Sequence, residues 1–201
     1  MSMKTEVESL RHDVEDEREE FKRLTAGLRT RAQLSRRAVE AVLFIVLAVG
    51  SGLLFWGSSF AHGMVHDQLA AQHISFPAKG SAAIDPKEFP GLQRYAGQAV
   101  DNGPKAKAYA NQFIAAHLNS VAGGKTYSEV STAAQQNPSD QKLQAQAQTL
   151  FRGETLRGLL LYAWGWSLVG TIAFWVANAA FLGALVVLAA MVYSLIQRQR
   201  A

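Results

Sequence analysis

Any chemistry in this chain must start from five histidines and sixteen carboxylates, because there is no cysteine to supply a thiolate, a disulfide or a sulfur ligand. The most suggestive spacing is His62, His66 and Asp67, a His-x-x-x-His-Asp order with His73 further on. Two histidines one helical turn apart can share a metal ion, and a carboxylate can complete the set. The residues between them are Gly63, Met64 and Val65, so the glutamate of a His-Glu-x-x-His hydrolase is missing. Histidines tolerating a polar interface are the plainer reading. Metal or haem binding through His62, His66 and Asp67 is the weaker alternative, and no cofactor is expected.

His117 lies near Ser120, Ser128 and Ser131, but no nucleophile elbow or Ser-x-x-Lys motif accompanies them. Residues 123–126, Gly-Gly-Lys-Thr, echo the end of a phosphate-binding loop. They lack the upstream glycine spacing and follow a helical pattern rather than a strand. Neither constellation carries a reaction, so no catalytic residue is assigned and the chain is expected not to be an enzyme.

The elements around these residues declare much more. Residues 158–197 contain no charge and no proline, about twice the ~20 residues needed to cross a bilayer. Residues 39–64 form a second apolar run whose one charged residue is Glu40, at its start. Acidic residues crowd the first twenty positions, and a basic block follows: Lys22, Arg23, Arg29, Arg31, Arg36 and Arg37. Abutting an apolar run, that block reads as a contact for anionic lipid headgroups that holds this end inside the cell. Nucleic acid is therefore not an expected partner. Arg198 and Arg200 mark the C-terminal end as cytoplasmic too, which requires two crossings. The rival topology splits 158–197 into a hairpin turning near Gly170 or Asn178. The long polar stretch before the first run predicts a signal anchor rather than a cleaved leader.

Residues 3–34 read as one amphipathic helix. Val7, Leu10, Val14, Phe21, Leu24 and Leu28 follow three- and four-residue steps, broken where Glu17 takes a core slot. A solvated helix, a short coiled coil and a membrane-surface helix all fit this pattern. In the first run, Ala48 and Gly52 make a small-xxx-small step; in the second, Ala173, Ala177, Ala180 and Ala184 form a small-residue stripe. Both are expected packing seams for each other or for a partner helix. The surplus apolar stretch 156–170, with Tyr162, Trp164 and Trp166, is expected either in the outer membrane interface or buried against protein.

The middle segment, 63–155, predicts an irregular start with a loop over 75–90, a helix over 104–121 stopped by Gly123-Gly124, and a short helix over 127–136. Asn137-Pro138 predicts an N-cap and first position for a last helix that flows into the apolar run. The expected fold is an all-α membrane protein with two transmembrane helices flanking a small helical extracytoplasmic domain. Its parts are a cytoplasmic arm (1–37), a first crossing (38–62), the exported domain (63–155), an aromatic extension (156–170), a second crossing (171–197) and a tail (198–201).

The stretches 65–77, VHDQLAAQHISFP, and 149–161, TLFRGETLRGLLL, resemble a group of actinobacterial two-helix membrane proteins to which no activity is assigned. The resemblance covers Val65 to the C-terminus and implies an actinobacterial plasma membrane and nothing catalytic. The two stretches flank the exported domain, so Arg152, Glu154 and Arg157 are expected to pair in charge near Asp67. The expected function is a non-enzymatic accessory or scaffolding subunit of a larger plasma-membrane complex. Its partners would be the lipid bilayer and other membrane subunits or further copies of the chain. A standalone sensor holding a lipid or hydrophobic ligand beneath Tyr162, Trp164 and Trp166 is the alternative.

Overall fold

The computed structural model describes residues 3–200, and every regular element in it is a helix. α1 runs unbroken over Met3–Ala70, so the charged arm and the first apolar run are one 68-residue helix. α5, Gln141–Gln199, is likewise continuous for 59 residues through Gly170 and Asn178, which replaces the hairpin alternative with a single helix. The stretches Arg36–Ala70 and Gln141–Gln197 are long and apolar enough to cross a membrane. The chain divides into two compact units: the N-terminal stretch through Ser51 with the stretch from Asn178 onward, and Gly52–Ala177.

Gly52–Ala177 holds the middle segment: α1 continues to Ala70, a turn in which His73 takes φ +53° follows, and the expected irregular stretch begins after it. Residues 74–102 lack long helices but are anchored. Phe76 donates its N–H to the Gln98 carbonyl at 2.9 Å, and Val100 donates to Ile74 at 2.8 Å, around one antiparallel bridge between Ser75 and Ala99. Short 3₁₀ turns at Ala82–Ile84 and Pro90–Tyr95 drive Ile84 and Leu92 completely into the core. The prolines and Gly80 conceal these anchors from a periodicity reading, because single buried side chains in turns have no period.

α2, Gly103–Ala108, is capped by Asn102, whose side-chain oxygen accepts the Lys105 N–H at 3.0 Å, and Pro104 occupies its first turn. A π-helical turn, Tyr109–Ile114, joins it to α3, Ala115–Ala122. Gly123 ends α3 at φ +60°, where a side chain would be strained. α4, Tyr127–Gln136, opens with a capping box between Thr126 and Glu129. Asn137, expected to start the last helix, instead ends α4: its N–H bonds back to Ala133 and Ala134, and Pro138 follows the helix end. Asp140 caps α5, accepting the Leu143 N–H at 3.0 Å. Val65 and Leu69 from α1, Phe76, Ile84, Leu92 and Val100 from the connecting segment, Ile114, Leu118 and Val130 from the short helices, and Leu150 and Leu160 from α5 close over one core.

Candidate interaction site on α5

The histidines are tied down by different partners. Nδ1 of His62 lies 2.9 Å from the Ser58 carbonyl, which can only accept, so Nδ1 carries a proton. Its Nε2 lies 3.3 Å from the Thr171 hydroxyl, which also sits 2.9 Å from the Ser167 carbonyl. His62 thus links α1 to α5. His66 reaches elsewhere: its Nδ1 donates to the Asp101 carbonyl at 3.0 Å, while the Asp101 carboxylate takes Lys105 Nζ at 3.0 and 3.2 Å. Asp67 is exposed, and among the described residues it forms no ion pair with Arg152 or Arg157. The expected pairing across the two stretches is replaced by a local one, Arg157 to Glu154 at 3.2 Å on α5. No three histidine, aspartate or glutamate side chains gather around a common point among the described residues.

The other candidate chemistry resolves into structure. Gly123 and Gly124 are the left-handed end of α3, and Thr126 is the N-cap of α4. Glu129 accepts the Thr126 N–H and hydroxyl at 2.7 Å each, which holds its carboxyl below the ordinary glutamate range. His117 donates to the Phe113 carbonyl at 2.8 Å and closes a row of rings: Tyr95, Phe76, Tyr109, Phe113, His117, Phe89. Tyr109 and Phe113, with Ile114 and Leu118, fall at helical spacing and mark the inward face of this stretch in the sequence; Phe76, Phe89 and Tyr95 escape it because they come from the connecting segment. Burial pushes the Tyr109 hydroxyl above its usual pKa. Two clefts open beside α4. One of about 430 Å³ includes Asn119, Lys125, Ser128 and Glu154 in its lining; one of about 360 Å³ lies between Tyr127, Gln144 and Phe151.

Stretch 156–170 of α5 has two different sides. Leu160 and Ser167 are buried, and Gly103 at the start of α2 sits so close to Ser167 and the Trp164 backbone that no Cβ fits there. Trp164 is half-buried beneath Lys107, whose ammonium lies 4.1 Å from the ring centroid. At Gly170 a Cβ would come within 2.8 Å of the His62 ring and 3.2 Å of Ala61. Sequence reading missed Gly103 and Gly170, since a close approach between distant segments leaves no local pattern. On another side, Leu159, Tyr162, Trp166 and Val169 are exposed, Leu159 and Tyr162 by 63% and 67%.

Of the small residues singled out as seams, Ala177 and Ala184 are buried, and Ala48, Ala173 and Ala180 are half-buried. Gly52 is exposed, with open space where a Cβ would be; its neighbour Ser51 is the buried residue. Gly183 lies against Leu47. On the N-terminal arm, Phe21 is exposed, as are Lys22, Arg23 and Arg36, while Arg37 is half-buried. Arg36 pairs with Glu40 at 2.8 Å. The side chains of Val7, Leu10, Val14, Leu24, Leu28, Arg29 and Arg31 lie outside the described residues.

Comparison with protein-family models, with curated proteins and with solved structures finds no match for this chain.

Proposed function

We propose that this chain is a non-enzymatic accessory or assembly subunit of a larger complex in a plasma membrane, which the resemblance of residues 65–77 and 149–161 makes actinobacterial. Residues 38–62 and 171–197 cross the bilayer, both ends of the chain lie in the cytoplasm, and the core around Ile84 and Leu92 lies outside. The placement is supported by the basic block before α1's apolar run and by the arginines at the end of α5. It is also supported by exposure: Val39, Val42, Ile45 and Val46 in one unit, and Leu53, Trp56 and Phe60 in the other, are open large apolar side chains on α1.

One observation carries the assembly reading. On α1 the exposed large apolar side chains end at Phe60, and Ala61 and His62 pack at the level of Gly170 and Thr171. On α5 the exposed apolar surface continues past that level through Val169, Trp166, Tyr162 and Leu159. Beyond the bilayer such a surface calls for protein, because water penalises it by roughly 25 cal/mol per Å². Affinity isolation of the full chain from native membranes in mild detergent tests this. Other membrane proteins in stoichiometric yield are the expected result, and recovery of this chain with no other protein under every gentle condition overturns it.

A further inference from the structure

We infer that the exposed face of α5 formed by Leu159, Tyr162, Trp166 and Val169 is where a second copy of this chain docks, parallel to the first. The inference rests on the membrane placement proposed above. Lipid cannot cover the whole face. At about 1.5 Å per residue, Trp166 stands ~6 Å, Tyr162 ~12 Å and Leu159 ~16 Å beyond Gly170. The headgroup layer is only about 5–8 Å deep on each side. Trp166 and Val169 therefore reach headgroups, and Tyr162 and Leu159 stand clear of them.

The spacing identifies the occupant as a helix. Steps of three, four and three residues from Leu159 to Val169 are the a/d pattern by which one helix meets another. The chain's own core does not use this face: that contact runs through Leu160, Ser167 and Gly170. Beside the exposed face stand Gly158 and Gly165, seven residues apart, and a Cβ at either would meet nothing within 4 Å. Glycine weakens a helix, and nothing among the described residues occupies the space these two leave. Large rings and open holes thus share one face at one height.

A second copy fits that arrangement better than an unrelated helix. Insertion gives all copies the same orientation, so a twofold axis along the membrane normal brings each patch against itself at equal height. Tyr162 and Trp166 of one copy then meet the openings at Gly158 and Gly165 of the other. No charge lies between Arg157 and Arg198, so like charges do not confront each other across the axis. Covering the four side chains removes on the order of 500 Å² per copy, about 1,000 Å² for the pair, which reaches the lower bound for a specific interface.

Because the chain has no cysteine, single cysteines report contact without background. Leu159→Cys, Tyr162→Cys and, off the face, Leu168→Cys are each expressed in native membranes, oxidised, and separately treated with a membrane-impermeant maleimide. Disulfide-linked pairs at positions 159 and 162, none at 168, and loss of the 162 pair on adding Gly165→Leu are expected. Gly165 has open space, so that substitution leaves the single chain intact. No pair at 159 or 162, equal pairing at 168, or a pair unaffected by Gly165→Leu overturns the inference. A cysteine at 162 that neither pairs nor takes maleimide assigns the face to lipid or another protein and also overturns it. Co-purifying membrane proteins without self-pairing would leave the subunit reading standing. Self-pairing with no other protein would do the reverse.

Discussion

The core of the middle segment and the α1–α5 packing at its edge sort side chains in opposite ways. Around Ile84 and Leu92 the buried residues include large apolar ones, Phe76, Ile84, Leu92, Val100, Val130 and Leu150, with alanines such as Ala106 and Ala110 between them. Along α1 and α5 the buried residues include Ser58, Ala61, Ser167 and Ala177, while Leu53, Trp56, Phe60, Ile172 and Trp175 are open. One region buries what water rejects. The other buries what lets two backbones approach, and leaves outside what lipid accepts as readily as protein does. The division falls within a single unit and a single helix, since Leu150 and Ser167 both belong to α5. Secondary structure does not change along the helix; in the membrane placement proposed above, a change of solvent would account for the division.

The comparison breaks most easily at the core. Ile84→Ala or Leu92→Ala should cost about 2–5 kcal/mol, because each leaves a cavity where exposure is nil, whereas Leu53→Ala should stay within about 0.5 kcal/mol. Denaturant titration in bicelles, followed by circular dichroism, checks the pair; equal losses would mean that Leu53 is as buried as Ile84. Next in size is Gly170→Ala, which pushes a methyl against the His62 ring and Ala61 and should cost about 1–3 kcal/mol. Gly52→Ala, with open space around it, should be neutral or slightly stabilising in the same melt.

The smallest effect belongs to the cap of α4. Thr126→Ala should cost about 1 kcal/mol. The Glu129 carboxyl is lowered in the folded state, first by the Thr126 N–H and then by its hydroxyl. Its contribution is therefore complete above the ordinary value of 4.5 and is lost as pH falls from there through the lower folded value. Amide exchange in α4 should quicken over that acid window, and Thr126→Ala should remove only the smaller part of the pH dependence that the hydroxyl supplies, because the backbone N–H remains.

Much of the helical architecture is legible in the residues. The charge-free run, the Gly123-Gly124 stop and the helix over 127–136 are local signals, and the structure places helix ends at the last two. Asn137-Pro138 is ambiguous in one dimension, because asparagine followed by proline suits a helix end as well as a helix start. Asn137 goes to the end because Ala133 and Ala134 supply the nearer acceptors. The charge pairs expected at Asp67 fail for a related reason: Glu154 is one helical turn from Arg157, and a local partner costs less order than a distant one.

What the amino-acid order determines alone is which stretches are helical and apolar enough for a membrane, since hydropathy and propensity are properties of neighbouring residues. Tertiary structure decides which side of each helix is used. It seats Gly103 on Ser167 and Gly170 on His62, and leaves Leu159 and Tyr162 open. From 158 to 197 α5 is so uniformly apolar that its own pattern does not point it. Its contact face is set by backbone fit against segments far away in the chain, and that fit exists only once they have met.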